Sequence, residues 1–345
     1  MNERYLRREN EDIIDYEIRL ASIKKEEKPD DLDWEDIKNL IGYDGNKDSL
    51  RKANDSIFGG LNIAKYYQNK NKEPKKFDKS VMFINDVHAP YERTDLLDII
   101  RKHRDEIDTL VIGGDFLDCH SISSFNKIDT FSLKDEVVYG YNLLKKIRTV
   151  LNNGQKIIMI KGNHEDRYYK NICKMNEKDL QTFINPELLE MYTEGFKLYI
   201  DGKKKVFEPI EGLTYIPHWY AIIDGIIVCH PLTFSQCKGK MLENVAQHFI
   251  NKKIDFDLAI MAHTHKYSAG CVERFAGKYI IENGCMAHAQ SYSDTGKTAY
   301  APQSYCYTIV KYNKGEKISL NNCRTYMLDT EKEEKEDYKK YSIEL

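Results

Sequence analysis

Five apolar stretches of this chain each run out into a residue that can hold a metal ion: VMFIN into Asp86 and His88, LVIGG into Asp115, IIMIKG into Asn163 and His164, IIVC into His230, and LAIMA into His263 and His265. Short apolar runs of this kind, bounded by glycine and polar residues, read as buried strands. In open α/β sheets ligands gather at the carboxyl ends of strands, where rigid elements present loop side chains at fixed separations. A single Asp-x-His or His-x-His is frequent by chance, and a lone histidine after a strand is usually just hydrogen-bonded. Five such strand ends in one chain restrict the fold to one that brings them together.

The remaining pattern supplies the sheets. Strand 80–85, helix 94–103, strand 109–113, helix 133–152 and strand 156–161 make the βαβαβ of a parallel sheet. After Phe196 the chain turns β-rich, with strands expected at 213–217, 219–223 and 226–229, a hairpin turn at Asp224-Gly225, a helix over 238–251, and strands at 258–262, 271–275, 279–282, 305–312 and 317–323. The expected class is α/β, an α+β sandwich of two packed mixed β-sheets flanked by helices. A small all-α module should precede it.

In that module (1–60), Ile14, Ile18 and Ala21 stripe a helix over 9–26, and Trp34, Ile37, Leu40 and Ile41 mark a second helix closed by Gly42. Asp48 is expected to cap a third, with Leu50, Ala53 and Ile57 inward. Two short helices around a glycine turn fit a plain helical cap, or a helix-turn-helix in which Arg51 and Lys52 would meet DNA; Asp44, Asp48 and Asp55 would repel phosphates. Residues 61–78, including NKNKEPKK, read as a basic linker, 79–325 as the catalytic domain and 326–345 as a charged tail.

A formal net charge of -3 gives no global attraction to nucleic acid, yet charge is segregated: residues 1–46 hold 8 Lys/Arg against 14 Asp/Glu, and 47–79 hold 9 against 4. The eight cysteines form no CxxC pair, which argues against a zinc knuckle or a disulfide framework. No apolar run is long enough to span a bilayer and the charged N-terminus lacks a secretory signal, so the expected setting is cytoplasmic, without a membrane partner.

Two divalent cations held about 4 Å apart need a bridging carboxylate with imidazole and oxygen ligands around each ion, and Asp115 is the natural bridge. The set D-x-H at 86–88, G-D-x-x-D at 114–118, G-N-H-E at 162–165, a lone His230 and H-x-H at 263–265 resembles the calcineurin-like metallophosphoesterase superfamily over the stretch from Lys79 to Cys323. The resemblance implies a first metal on Asp86, His88, Asp115 and His265, and a second on Asp115, Asn163, His230 and His263. Manganese is the first choice, with iron or zinc as alternatives, since the donors are nitrogen and oxygen without thiolate. It also implies hydrolysis of a phosphate ester by a metal-bridging hydroxide, with His164 as general acid and Asp118 as its partner.

Departures from the family pattern bear on the substrate. Where the serine/threonine phosphatases of the superfamily carry a phosphate-clamping arginine, this chain has Cys119; His120 or Arg167 can take its place. His230 stands in VCHP without the usual neighbouring glycine, and Asn283-Gly284-Cys285 resembles the family's small-residue turn behind the site. His103 and His248, on predicted helices, read as surface residues, and His218 and His288 as rim residues without an assigned role. The layout is most similar to bacteriophage-encoded members with an N-terminal helical module. The expected activity is a phosphodiesterase or nuclease acting on DNA or RNA. A protein or small-molecule phosphomonoesterase, or a DNA-binding scaffold with an inactive domain, are the alternatives.

Overall fold

The computed structural model describes residues 3–8, 11, 13–58, 77–124, 131–175, 178, 184–235, 239–272, 277–288 and 303–329, in two compact units, Met1–Lys76 and Phe77–Leu345. Most of the expected linker and all but the start of the expected tail lie outside the described residues. No helix among the described residues is long and apolar enough to cross a membrane.

In the first unit, α1 (Ile13–Glu26), α2 (Trp34–Ile41) and α3 (Lys47–Phe58) enclose a core of Tyr5, Tyr16, Leu20, Leu32, Ile37 and Leu50. Tyr16, Leu20 and Ala21 supply the buried side of α1; the side chains of Ile14, Ile18, Ala53 and Ile57 lie outside the described residues. Asp33 forms a capping box with Asp36 at the start of α2, and Gly42 closes it at φ 68, a conformation glycine adopts without steric cost. The expected cap of α3 moves back by two residues: Asn46 Oδ1 accepts the Asp48 N–H at 2.7 Å, and Asp48 lies inside the helix. Arg51 is exposed and 3.7 Å from the Asp48 carboxylate. The side chain of Lys52 lies outside the described residues.

In the second unit, period-two alternation along buried strands sorts side chains into layers. The strands are β1 (Lys79–Ile84), β2 (Thr109–Ile112), β3 (Lys156–Ile160), β4 (Phe196–Ile200), β5 (Lys203–Phe207), β6 (Leu213–Ile216), β7 (Tyr220–Ile223), β8 (Ile226–Cys229), β9 (Leu258–Met261), β10 (Ser268–Val272), β11 (Lys278–Glu282), β12 (Cys306–Tyr312) and β13 (Cys323–Met327). Six form one sheet in the order β13-β12-β1-β2-β3-β6, five a second in the order β10-β11-β9-β8-β7, and β4-β5 a separate ribbon. Both large sheets are mixed: β1, β2, β3 and β6 are parallel with β12 antiparallel to β1, and β8, β9 and β11 are parallel with β7 and β10 antiparallel at the edges.

Val81, Phe83, Val111 and Ile160 of the first sheet meet Val228, Leu258, Ile260 and Ile281 of the second in one buried cluster. The alternate residues Met82, Ile84, Leu110, Ile112, Ile157 and Met159 face outward onto α4 (Leu96–His103) and α5 (Leu133–Val150). Ile227, Cys229, Ala259 and Met261 face outward onto α7 (Lys240–Asn251). The result is the expected four-layer sandwich, helix on sheet on sheet on helix.

Several details differ from expectation. A helix α6 (Asp166–Ile172) and the β4-β5 ribbon were not foreseen, although the ribbon turns at Asp201-Gly202 with φ 50 and 72, the same Asp-Gly signal that closes β7-β8 at Asp224-Gly225 with φ 49 and 85. β10 starts at Ser268 rather than 271, because the buried Glu282 carboxylate accepts Thr264 Oγ1 at 2.5 Å and Ser268 Oγ at 2.6 Å and so fixes its pairing. The last strand is 323–327 rather than 317–323: a Ser319–Asn322 capping box turns residues 320–322 into a helical step first, and the sheet extends past the expected domain end at 325. His103 is buried, between Glu106 and the Tyr307 hydroxyl at 2.7 Å, and so is not a surface residue, while His248 is half-buried beside Trp219.

Phe83 is fully buried between the sheets, so Phe83→Ala is expected to lower unfolding free energy by about 3–5 kcal/mol, measured by urea denaturation. A loss below 1 kcal/mol would contradict this packing.

Candidate metal centre

The loops that leave β1, β2, β3, β8 and β9 converge. Asp86, His88 and His230 are fully buried, and Asp115 and His265 nearly so. Two groups of donor atoms bring the expected ligands together, Asp86, His88 and His265 in one and Asp115, His230 and His263 in the other; a third close group is His88, Asp118 and His164. In the first, His88 Nε2 lies 3.0 Å from His265 Nε2, which is 3.5 Å from Asp86 Oδ1. In the second, Asn163 Oδ1 lies 2.9 Å from His230 Nε2 and 2.7 Å from His263 Nδ1, and His230 Nε2 is 3.2 Å from Asp115 Oδ2. Asp115 Oδ2 also reaches within 3.9 Å of His88 Nε2, so one oxygen faces both groups. Ligands bound at about 2.1 Å to one ion stand roughly 3.0–3.4 Å apart at octahedral or tetrahedral angles; the His88–His265 and His230–Asp115 spacings, 3.0 and 3.2 Å, fall in that range, and the spacings of 2.7, 2.9 and 3.5 Å lie just outside it.

The backbone is shaped to this end. Asp86, His88, Asp115, His263 and His265 all have positive φ, 50, 51, 48, 85 and 55. Each such residue costs about 1–3 kcal/mol and persists only where its surroundings impose it. A Cβ at Gly162 would collide with Asp115, and one at Gly114, itself at φ 91, with the His230 ring, so both positions require glycine for close approach. Glu165 ties two of the loops together, accepting the Leu117 and Gly162 N–H groups, each at 2.9 Å. Burial and then the Asp115 charge raise its carboxyl to about 7.

The electrostatics match a site made for positive charge. Burial by itself would raise the Asp86 and Asp115 carboxyls; for Asp86 the charge and hydrogen bond of His265 together with the His230 charge outweigh it, and the charges on His164 and His230 hold Asp115 well below the ordinary range. Burial opposes a charged His230, yet Asp115 and Asp86 lift it to about 10, while burial and the His230 charge push His263 down to about 4. Buried carboxylates that draw a proton onto a neighbouring imidazole will draw a divalent cation to the same lone pair.

Each imidazole is also fixed from behind. His88 Nδ1 faces Asp118 Oδ1 at 3.0 Å and His230 Nδ1 faces the Gly113 carbonyl at 3.0 Å; both oxygens only accept, so the ring proton sits on Nδ1 and Nε2 is left for a cation. His265 Nδ1 meets the Gln303 amide at 2.7 Å, and the His265 carbonyl accepts the Ser304 N–H at 2.7 Å. When His265 ligates through Nε2, Nδ1 carries the proton and the amide presents its oxygen, a rotation a glutamine makes freely. Gln303 gave no sequence signal, since it belongs to no motif and lies 38 residues from its partner.

His164 stands beside the two groups rather than in them. Its Nδ1 is 3.2 Å from Asp118 Oδ1 and 2.7 Å from the Asp118 carbonyl, and its Nε2 is 3.7 Å from Asp115 Oδ2. Asp118 thus holds His88 and His164 through one oxygen; burial would raise its carboxyl, but the bonds from His164 and His88 hold it far below the usual value. Arg167, in the first turn of α6, donates to His164 Nε2 and to the Asp118 carbonyl, both at 2.8 Å. His120 Nδ1 is 3.7 Å from Asp118 Oδ2, beyond a hydrogen bond. Cys119 is fully buried, and burial drives its thiol well above the ordinary value.

A family profile described as calcineurin-like phosphoesterase matches residues 79–267, just over half of the 345-residue chain. No curated protein matches the chain. Solved structures similar to it include Vps29 of Entamoeba histolytica complexed with zinc (16% identity, 72% of this chain and 98% of that one, TM-score 0.33). A metallophosphoesterase of Sphaerobacter thermophilus is similar at 12% identity over 73% of this chain and 89% of that one, TM-score 0.37. A serine/threonine phosphatase of Saccharomyces cerevisiae is similar at 12% identity over 74% and 82%, TM-score 0.36.

Calorimetric titration with Mn²⁺ tests the arrangement. Asp115→Asn should weaken both equivalents, because its oxygen faces both groups. Gln303→Leu should weaken only the equivalent held by His265, by about 10–100-fold. Equal weakening of both by Gln303→Leu would remove Gln303 from its assigned place.

Proposed function

The chain belongs to the calcineurin-like phosphoesterase family and is a metal-dependent phosphoesterase, and from that premise we propose that it is a phosphodiesterase whose substrate is a nucleic acid strand. The observation that supports a diester is the state of position 119: a buried, neutral thiol stands where a monoester-cleaving relative clamps the phosphate dianion with arginine. A diester carries one negative charge less and needs one cationic side chain fewer. Arg167 is the guanidinium placed to supply it, already against His164.

Asp86, His88, Asp115 and His265 would hold one cation and Asp115, Asn163, His230 and His263 the other, with manganese the first choice for an all-nitrogen-and-oxygen set. Two such ions supply charge neutralisation at phosphorus and activation of a water molecule. The chain's own residues do the rest. The substrate's phosphate draws Arg167 off His164 Nε2, which frees that nitrogen to carry a proton. Asp118 keeps the other ring proton on Nδ1, so the proton on Nε2 is the one delivered to the leaving oxygen. His120, 3.7 Å from the far oxygen of Asp118, stands at the rim. Arg51, offset by Asp48, is not needed for this reading.

With Mn²⁺, kcat/KM for bis-p-nitrophenyl phosphate is expected to exceed that for p-nitrophenyl phosphate. The reverse order would favour a monoesterase. His164→Ala should lower kcat on the diester by roughly 10²–10⁴-fold with both metal equivalents retained, and full activity in that variant would remove His164 from proton transfer.

A further inference from the structure

Between Phe196 and Phe207 the chain carries four lysines, Lys197, Lys203, Lys204 and Lys205, and a single carboxylate, Asp201. They lie on the β4-β5 ribbon, which pairs with neither large sheet. Its base is fixed: the Phe196 and Phe207 rings stack at 4.5 Å with planes 5° apart and meet Tyr141 of α5 edge-on at 5.6 and 5.1 Å. Cross-strand pairing sets Tyr199 beside Lys204 and Lys197 beside Val206 on one face, with successive side chains along each strand about 7 Å apart. All four residues are exposed, Tyr199 by 71%.

Lysines on a ribbon can serve only to blunt a sheet edge against aggregation. That accounts for Lys203 and Lys205 but not for Tyr199 and Val206 standing outward among lysines, since an apolar pair is what edge protection avoids. Among the described residues none of the ribbon's four lysines lies within 4.0 Å of a carboxylate, which leaves a local excess of positive charge exposed.

We propose that the β4-β5 ribbon is a docking arm for single-stranded nucleic acid, with phosphates on Lys197 and Lys204 and a base stacked on Tyr199 of the same face. The choice of nucleic acid rests on the diesterase reading above. The choice of a single strand rests on Tyr199, whose open ring face needs an unstacked base that a duplex does not offer.

The probe is a fluorescein-labelled single-stranded 20-mer oligodeoxynucleotide, read by anisotropy on the full chain in EDTA, so that binding is seen without cleavage. A double Lys197→Gln, Lys204→Gln variant is expected to bind at least tenfold more weakly, with the slope of log K against log salt reduced by about 1.4 (0.7 for each lost contact). Tyr199→Ala should weaken binding about tenfold with the slope unchanged. Both should cleave bis-p-nitrophenyl phosphate like the wild type. Unaltered affinity in the double variant, no binding by the wild type, or equal affinity for a duplex of the same length would each overturn the proposal. These results are separable from the active-site reading: cleavage of the small diester tests the site with no strand present, and anisotropy in EDTA tests the arm with no chemistry.

Discussion

Burial of two aspartates, Asp86 and Asp115, with almost no solvent exposure is the constraint around which the second unit is organised. An uncompensated carboxylate at such depth costs several kcal/mol. Imidazoles from four other loop positions offset that cost by standing within about 4 Å of the carboxylate oxygens. Bringing them so close demands left-handed backbone at five ligand positions, glycine at 114 and 162, and strands stiff enough to bear the strain. The two sheets meet that demand because their apolar faces are paired along the whole length of β1, β2, β8 and β9, leaving only the strand ends to be polar.

One oxygen links the candidate metal centre to the candidate acid. Asp118 Oδ1 faces Nδ1 of both His88 and His164, so the carboxylate that orients a candidate ligand also orients the candidate acid. A change that moves the D-x-H loop therefore moves His164 as well. Glu165 adds a second tie between the same loops through two backbone N–H groups. The motif G-N-H-E thereby contributes a candidate ligand, a candidate acid and a brace within three consecutive residues.

The sandwich was legible because buried strands leave a strong local trace: apolar runs with glycine and polar punctuation. The ends of β1, β2, β3, β8 and β9 all fall within two residues of expectation. What sequence reading missed depends on distant partners. β10 and β13 were misplaced because a buried Glu282 and a Ser319–Asn322 turn, rather than local apolarity, set where pairing begins. His103 is polar by type and lies on an amphipathic helix, so only its contact with Tyr307 on another strand reveals that it is interior. The β4-β5 ribbon is different: its Asp-Gly turn was readable, but lysine-rich flanks masked the strands beside it.

The sequence by itself determined which residues could bind metal and in what order strands deliver them, because ligand type and strand-end position are local properties. Only the tertiary structure decided how those residues act. It set which ring nitrogen of His88 and His230 faces inward, through Asp118 and the Gly113 carbonyl. It brought Gln303 behind His265, placed Arg167 on His164 instead of in solvent, and buried Cys119. Each of these depends on a partner remote in sequence, whose approach is fixed by the packing of two sheets and not by any residue's neighbours along the chain.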